Sequence, residues 1–298
     1  MATIGVVGTG YWGKNLLRNF NQLDVLAGLC DSDPAARDAF AAQYPQALVF
    51  TDFEDMLACD EINAVAIATP AATHGALTRQ ALNAGKSVFV EKPLCLGVEE
   101  ASELERLAED KGLTLMVGHL LLYHPAFTAL CEHVASGSIG ELRYLYSNRA
   151  SLGKIRREEN ALWSFAPHDV SMILKLYGTM PVEVTCSGGA WLNEGVADTT
   201  LSHLRFPGNV QAHIFVSWLH PYKDHRLVVV GSEGMVVFND VEAGENKLLT
   251  YPHSAGWEGD LPAVNKANAI PIAYDAVEPL AQECRHFIDC VDTGRTPV

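Results

Sequence analysis

Three glycines near the start of the chain, Gly8, Gly10 and Gly13, have the spacing of a loop that binds nucleotide phosphates, and Tyr11 and Trp12 complete that loop. An apolar run precedes the loop and an amphipathic run follows it, which predicts a strand, a tight turn and a helix. Gly8 would permit the turn, Gly10 would let the backbone approach a pyrophosphate, and Gly13 would let the helix pack close to the strand. The first N–H groups of the helix would then face the anion.

Asp31 is the carboxylate expected to contact the other end of such a nucleotide. It directly follows a second apolar run, so it would lie at the tip of the second strand. There it would accept hydrogen bonds from the adenosine ribose and repel a 2′-phosphate, which favours NAD over NADP; Arg37 lies too far along the next helix to bind that phosphate. The alternative is that Asp31 only starts a turn in which Asp33 caps a helix. In this strand–turn–helix context we expect dinucleotide binding.

Lys92 is the first candidate for catalysis. It follows Val90 and Glu91 at the end of the fifth predicted strand and precedes Pro93. Ligands of open α/β sheets bind at the carboxyl ends of the strands, so this amine would meet a nicotinamide and a substrate. The alternative is an ordinary surface lysine.

His168 is the second candidate. It follows Pro167 and precedes an amphipathic run, which predicts that it lies at the N-terminus of a helix over 170–177. The helix dipole would disfavour the imidazolium there and leave the ring able to accept a proton. The alternative is that His168 or Asp169 simply caps the helix.

A short basic segment, with Lys154, Arg156 and Arg157, stands out in an acidic protein. Guanidinium groups bind phosphates in a bidentate manner, so this segment could bind the diphosphate of a substrate. The alternative is a solvated loop with local ion pairs to Glu158 and Glu159, which contribute little to stability.

The composition indicates a globular protein with two domains and an acidic surface. A length of 298 residues is long for a single core. The 36 acidic and 21 basic side chains give a formal charge of −15, which argues against nucleic acid or an anionic membrane as the main partner. No apolar run is long enough to span a bilayer.

The cysteines and the N-terminus predict a cytoplasmic protein. The seven cysteines form no CxxC pair and fit reduced, buried thiols. The chain enters its first predicted strand at once, without the basic and apolar regions of a secretory signal. The histidines have no spacing typical of metal ligands, so we expect no metal site.

The order of predicted elements gives the fold class. Strands and helices alternate through residues 1–118, which predicts an α/β domain with a Rossmann doubly wound parallel sheet of six strands that binds NAD. Residues 119–298 contain mostly strand-like runs, with helices near 125–135 and 170–177. This pattern predicts an α+β domain with a large, mostly antiparallel open-faced sheet. We expect this domain to serve substrate binding and oligomerisation. Residues 254–275 look like a long loop.

The free face of that second sheet is expected to be a subunit interface. We assign Phe215 and Trp218 to this face, and large apolar patches are unusual on monomers. The prediction is a homodimer or homotetramer formed through the C-terminal sheet.

Four motifs together resemble the glucose–fructose oxidoreductase, inositol dehydrogenase and MocA (Gfo/Idh/MocA) family. They are the glycine loop, the strand end Ala68-Thr69-Pro70 followed by His74, the tripeptide Glu91-Lys92-Pro93, and the strand end Gly118-His119. The Glu-Lys-Pro tripeptide is the specific element, and the resemblance covers essentially the whole chain.

The resemblance implies roles for individual residues. Lys92 would be a catalytic residue that hydrogen-bonds the reacting hydroxyl, and His168 would be the catalytic histidine of the second domain. The bond between Lys92 and Pro93 is often cis in this family, and only X-Pro bonds adopt cis at modest cost. The residues implied to line the cofactor are Thr69, Pro70, His74 and Glu91.

The sequence departs from the family pattern at Ser164. Many members have an aspartate four residues before the catalytic histidine, and here a serine stands in that position. The resemblance therefore supports Lys92 and His168 as catalytic residues but not a complete Lys-Asp-His triad.

The segment from Gly118 through Tyr123, His124 and Pro125 to the basic loop resembles a subgroup, the UDP-N-acetylhexosamine and hexosaminuronate 3-dehydrogenases. The implied activity is NAD-dependent transfer of hydride between a sugar ring hydroxyl, at C3 of such a nucleotide-sugar, and nicotinamide. The alternatives are an inositol or free-sugar dehydrogenase of the same family and a non-enzymatic NAD-binding regulator. Relatives usually continue with one more helix, so we expect a shortened chain or a further domain beyond Val298.

Overall fold

The computed structural model describes residues 1–153, 155–157 and 159–298. These residues form two compact units. The first comprises residues 1–120 together with 278–298, and the second comprises residues 121–277.

The first unit contains a six-stranded parallel sheet in the order β3-β2-β1-β4-β5-β6, as predicted. All residues of β1 and β4 are buried and apolar or small, which is typical of central strands covered on both faces. The elements are β1 (Ile4–Val7), α1 (Gly13–Gln22), β2 (Leu26–Cys30), α2 (Pro34–Gln43), β3 (Leu48–Phe50), α3 (Phe53–Ala58), β4 (Ala64–Ile67), α4 (Ala71–Asn83), β5 (Ser87–Glu91), α5 (Val98–Lys111) and β6 (Leu115–Gly118).

The second unit contains a nine-stranded sheet whose described pairings are all antiparallel except β7 with β10. Its order is β14-β13-β12-β11-β7-β10-β9-β8, with β15 paired to β13. The helices pack on one face of this sheet around a large apolar core. The elements are α6 (Pro125–Ala135), β7 (Leu142–Leu152), α7 (Ala161–Tyr177), β8 (Glu183–Gly189), β9 (Thr199–Arg205), β10 (Gln211–Ser217), β11 (Leu219–Gly231), β12 (Gly234–Asn239), β13 (Leu248–Glu258), β14 (Leu261–Lys266) and β15 (Ile270–Pro271).

The last helix, α8 (Pro279–Thr293), belongs to the first unit. It packs against α1, and the ring of Phe287 meets the ring of Phe89 on β5 edge to face at 5.7 Å. The sequence-based division at residue 118 assigned this segment to the second domain. The structure differs because the apolar face of α8 is buried against the parallel sheet.

The prediction of a loop over 254–275 was wrong. β13 continues to Glu258, and β14 pairs with it in register from His253–Lys266 to Glu258–Leu261. Glycine and proline lowered the strand signal in this region. Pro262 is tolerated because β14 is the edge strand of the sheet, where a missing N–H costs no ladder bond.

The prediction that Trp218 lies on the free face of the sheet was also wrong. Its side chain is 0% exposed, and the indole Nε1 donates to Asp198 Oδ1 at 2.6 Å. Side chains alternate along a strand, so Phe215 and Trp218, three positions apart, point to opposite faces. Phe215 alone is on the face away from the core, where it is half-buried.

In the described part of the chain, no helix is both long and apolar enough to cross a bilayer.

Candidate functional site

The carboxyl ends of the parallel strands lie side by side and bring together most of the predicted cofactor residues. Val7 of β1 pairs with Cys30 of β2 on one side and with Ile67 of β4 on the other. The glycine loop and Asp31 directly follow Val7 and Cys30, and Thr69 lies two residues after Ile67. The sequence-predicted residues therefore share one edge of the sheet, where ligands of doubly wound folds bind.

The glycine loop has the shape that a pyrophosphate requires. Gly8 adopts a φ of +82°, and a Cβ there would lie 2.9 Å from the backbone carbonyl of Ala68. A Cβ on Gly13 would lie 1.8 Å from the Gly8 oxygen, so α1 can start this close to β1 only with glycine. A Cβ on Gly10 would meet nothing within 4 Å. The loop is therefore open at Gly10, beside the N-terminus of α1, and the residues fit a dinucleotide.

We expect Gly10→Ala to weaken NAD binding without destabilising the fold. The new methyl group would enter the open space beside the loop, and Gly10 has no left-handed backbone conformation that alanine would strain. Titration calorimetry should show the loss of affinity, while thermal melting should stay within a few degrees of the wild type. Unchanged affinity would mean that the pyrophosphate does not contact Gly10.

Asp31 is held at the end of β2 by the glycine loop. The backbone N–H and the hydroxyl of Thr9 donate to Asp31 Oδ2 at 2.6 and 2.8 Å, and the N–H of Asp33 donates to Oδ1 at 2.9 Å. Partial burial raises the pKa of Asp31, but these hydrogen bonds outweigh it and the pKa lies below its ordinary value. The guanidinium of Arg37 donates to the Asp31 carbonyl at 2.7 Å, closer to the site than its sequence position indicated.

His74 connects two strand ends. Its ring nitrogens lie 2.8 Å from the carbonyl oxygen of Thr69 and 2.7 Å from that of Pro93, and the residue is 1% exposed. The imidazole therefore positions the loops after β4 and β5. Pro70, in contrast, is exposed at the start of α4.

Glu91 and Lys92 end β5 beside the glycine loop. The bond between Lys92 and Pro93 is cis. The indole N–H of Trp12 donates to Glu91 Oε1, which ties the glycine loop to β5. Burial raises the pKa of Glu91 to about 7, although the Trp12 hydrogen bond and the charge of Lys92 oppose this shift.

Tyr11, predicted to contact the cofactor, is 86% exposed, and the Lys14 ammonium lies over its ring at 5.4 Å.

His119 is a neighbour of Lys92 to which the sequence analysis assigned no catalytic or cofactor role. Glu91 pairs with Gly118 across β5 and β6, so Lys92 and His119 follow equivalent positions of adjacent strands. Burial and the Lys92 charge lower the pKa of His119 to about 4, and its Nδ1 has no hydrogen-bond partner among the described residues. The signal in the sequence was that His119, like Lys92, directly follows the end of a strand.

His168 lies in the middle of a helix, and the prediction of a helix N-terminus was wrong. α7 begins at Ala161, where the side chain of Asn160 accepts from the Trp163 N–H at 3.1 Å, and Pro167 sits inside the helix. Proline is common in first turns, but a helix interior tolerates it at the loss of one hydrogen bond. The dipole argument for a neutral His168 therefore does not hold. Ser164 is buried one turn earlier on the same face.

Asp169, next to His168, anchors α7 to the sheet. Arg149 of β7 donates to both carboxylate oxygens, at 2.8 and 3.2 Å, and Ser147 donates to the same carboxylate. The Arg149 and Asp169 side chains are 8% and 0% exposed. Burial and the charge of Arg149 lower the pKa of the adjacent His225 to about 4. Periodicity could not reveal this ion pair, because it joins residues 20 positions apart.

The described part of the basic segment contains a local ion pair between Arg156 and Glu159. Arg156 Nε lies 2.8 Å from Glu159 Oε1, as the alternative interpretation of this segment expected, and Arg156 remains 43% exposed. Lys154 and Glu158 lie outside the described residues. Arg157 is exposed in the same segment. Across the described chain, no three His, Cys, Asp or Glu side chains cluster as metal ligands.

Two family models match the chain. The first, described as an oxidoreductase family with an NAD-binding Rossmann fold (GFO_IDH_MocA), matches residues 2–119. The second, the GFO/IDH/MocA C-terminal domain, matches residues 127–237.

Similar proteins match over nearly the whole chain. UDP-N-acetylglucosamine 3-dehydrogenase of Acidithiobacillus ferrooxidans is 28% identical over 98% of this chain and 89% of its own length, and its structure superposes with a TM-score of 0.83. An oxidoreductase structure from Magnetospirillum magnetotacticum is 31% identical over 98% of this chain and 92% of that chain, with a TM-score of 0.83. The scyllo-inositol 2-dehydrogenase (NAD(+)) of Bacillus subtilis is 26% identical over 80% of this chain and 70% of its own length.

Proposed function

Because the chain belongs to the Gfo/Idh/MocA family of NAD-binding oxidoreductases, we propose that it oxidises a ring hydroxyl of a nucleotide-sugar. The proposed position is C3 of a UDP-N-acetylhexosamine or its uronate. The observation that carries this proposal is the similarity to the A. ferrooxidans UDP-N-acetylglucosamine 3-dehydrogenase, which extends over 98% of the chain. The relatives reported above are enzymes, which argues against a non-enzymatic regulator.

Lys92 is the group proposed to hold the reacting hydroxyl. It follows β5 at the edge of the sheet where the dinucleotide residues gather, and the cis bond to Pro93 and the His74 contact define the backbone around it. A cationic amine there hydrogen-bonds the hydroxyl oxygen and stabilises the negative charge that develops as its proton leaves.

His168 is the group proposed to accept the hydroxyl proton. The Asp169–Arg149 ion pair fixes the turn of α7 that carries His168, so the backbone at His168 is anchored to the sheet of the second unit. A positioned imidazole is the usual general base near neutral pH. When bound, the oxidised nicotinamide supplies the acceptor for the carbon-bound hydrogen and its electron pair.

An inositol or free-sugar dehydrogenase is the second candidate. The scyllo-inositol 2-dehydrogenase of B. subtilis is 26% identical to this chain. The contact between Arg156 and Glu159 also favours it, since this ion pair engages one of the cations proposed to bind a diphosphate. A neutral polyol needs no such cations.

A substrate panel separates the two candidates. With NAD present, we expect UDP-N-acetylhexosamines or their uronates to give rising absorbance at 340 nm, and inositols and free sugars to give little. Reversing charge in Arg156→Glu/Arg157→Glu should then raise KM for the nucleotide-sugar about tenfold or more, because bidentate phosphate contacts are lost. An unchanged KM removes the diphosphate argument, and turnover of inositol alone favours the second candidate.

The second unit is further proposed to form the subunit interface of a homodimer or homotetramer. Phe215 pairs with Leu201 across β10 and β9, and Leu201 is 48% exposed on the same face as Tyr144, which is 44% exposed. This apolar face supports a contact between copies of the chain. Light scattering of the purified protein measures its molar mass, and a molar mass of a single chain would contradict this proposal.

A cytoplasmic location is proposed as well. All seven cysteines are free, and four of them are buried, as expected in a reducing compartment. Cell fractionation tests this location.

A further inference from the structure

Glu283 is a buried carboxyl in the first unit that the proposed reaction does not use. The residue lies in α8, is 0% exposed, and neither oxygen has a hydrogen-bond partner among the described residues. An isolated buried carboxylate is very costly, so the group stays protonated instead. Burial raises the pKa of Glu283 well above its ordinary value, and the charge of Glu91 raises it further.

The packing of α8 on β5 makes Glu283 face Glu91. Phe89 precedes Glu91 by two residues, so both side chains point to the same face of the strand. Phe287 follows Glu283 by one helical turn, so these two share a face of α8. The rings of Phe89 and Phe287 are in contact at 5.7 Å. The Met1 amino group, which precedes β1, lies 3.3 Å from Asp292 near the end of α8, so α8 runs opposite to the parallel strands. Glu283 therefore lies towards the end of β5, where Glu91 lies.

The space around the Glu91 carboxyl confirms this orientation. A Cβ on Gly118 would lie 3.0 Å from the Phe89 ring and 3.2 Å from Glu91 Oε1. Ring and carboxyl therefore occupy the same side of the sheet, and the glycine at the end of β6 leaves room for both.

Few other charged groups surround the two carboxyls. Lys92 is the cation next to Glu91, and the Trp12 indole donates to it. His119 is uncharged near neutral pH because its pKa is lowered to about 4, and the pKa of the Cys284 thiol is raised well above its ordinary value. His74 reaches this region from α4 through its contact with the Pro93 carbonyl, and at the start of α8 Glu278 is paired with Arg18.

The carboxyls lie on the side of the sheet that receives the nicotinamide half of the cofactor. A dinucleotide crosses the switch point between β1 and β4 in this strand order. Asp31, on β2, marks the adenosine side, so the other half lies towards β4, β5 and β6. The oxidised nicotinamide ring carries a positive charge that the reduced ring lacks.

We propose that Glu91 and Glu283 act as one carboxyl pair that carries a single negative charge and makes the site bind oxidised NAD more tightly than reduced NAD. Two nearby carboxyls lose their protons in two separate steps, because the first charge opposes the second. The proposal depends on cofactor binding only, so it can fail or succeed whatever the substrate is.

The sign of the pH dependence follows from the first ionisation. Below the Glu91 pKa of about 7 both carboxyls are neutral, and the pair does not distinguish the two forms of the cofactor. Above it, Glu91 is negative and attracts only the oxidised ring. The affinity for NAD+ relative to NADH therefore rises as the pH increases through this range.

The test is titration calorimetry of NAD+ and of NADH, without substrate, from pH 6 to 9.5. We expect the ratio of the two affinities to rise about tenfold with pH, which corresponds to a mutual shift of about one pKa unit. A ratio that does not change over this range overturns the proposal.

Substitutions of Glu91 and Glu283 test whether these two carboxyls cause the pH-dependent step in the affinity ratio. Glu283→Gln should keep the step near pH 7, because Glu91, with its Trp12 hydrogen bond and the nearby charge of Lys92, is unchanged. Glu91→Gln should move the step to higher pH, because Glu283 can then ionise without a charged neighbour, and Glu91→Gln/Glu283→Gln should remove it. The proposal is overturned if the affinity ratio of Glu91→Gln changes as little with pH as that of the double variant. It is also overturned if the double variant keeps the step.

Glu278→Gln is the matched control. It changes a glutamate of the same region whose side chain is 42% exposed and paired with Arg18, and the affinity ratio should not change. Thermal melting of each variant shows whether the first unit is still folded, and if Glu91→Gln is unstable the pH dependence of the unsubstituted protein still decides for or against the proposal.

Discussion

Lys92→Met is expected to reduce turnover by about a thousandfold while NAD binding remains within a few-fold of the wild type. Methionine keeps the length of the side chain but removes the ammonium that is proposed to hold the reacting hydroxyl, and proton-transfer groups of this kind contribute about 10²–10⁴ in rate. Steady-state kinetics measures turnover, and titration calorimetry measures cofactor affinity.

Lys111→Met provides the matched control for this experiment. Lys111 is an exposed lysine at the end of α5 in the same unit, so its loss should change neither turnover nor affinity. A Lys92→Met enzyme that retains wild-type turnover would exclude the proposed catalytic role. Loss of cofactor binding in parallel with turnover would instead make Lys92 a cofactor ligand.

Asp169→Ala is expected to lower the free energy of unfolding by about 3–5 kcal/mol. The substitution leaves the Arg149 guanidinium, whose side chain is 8% exposed, with the Asp240 carboxylate at 4.0 Å in place of the Asp169 carboxylate at 2.8 Å, and a poorly compensated buried charge is strongly destabilising. Denaturant unfolding followed by tryptophan fluorescence measures the change. We also expect turnover to fall in the folded fraction, because the turn of α7 that carries His168 loses its anchor on β7.

Two further variants show whether the loss of stability in Asp169→Ala arises because the ion pair is buried. Glu183→Ala breaks the exposed pair with Arg205, whose partners are 55% and 48% exposed, and should change stability by only about 0–1 kcal/mol. The double variant Arg149→Met/Asp169→Leu removes both charges and should recover most of the stability. An Asp169→Ala protein as stable as Glu183→Ala would contradict the importance of the buried pair.

Local patterns predicted the first sheet well because its strands are short, apolar and separated by amphipathic helices. α5 (Val98–Lys111) is one of these helices, and Gly112, with a φ of +62°, ends it. Parallel strands covered on both faces give continuous apolar runs, which are easy to recognise. For the second sheet, the sequence predicted a large and mostly antiparallel arrangement. The strands over 254–266 were missed because an edge strand can contain glycine and proline.

The candidate site was predictable where neighbouring residues in the sequence carry its chemistry. The glycine loop, Asp31 and Lys92 each follow an apolar strand, so their position at the sheet edge follows from strand direction alone. The environment of His168 was not predictable in this way. Pro167 indicated a helix start, yet α7 begins six residues earlier because Asn160 caps it.

The amino-acid sequence by itself determined the two-part architecture and the dinucleotide loop, since these depend on periodicity and on residues adjacent in the chain, while the family resemblance supplied Lys92 and His168 as candidates. Only the tertiary structure decided which distant groups meet: Arg149 with Asp169, Trp12 with Glu91, and Glu283 opposite β5. The physical reason is that hydrogen bonds, burial and charge act through space over a few ångströms. They therefore depend on how helices and strands pack, which no local pattern records.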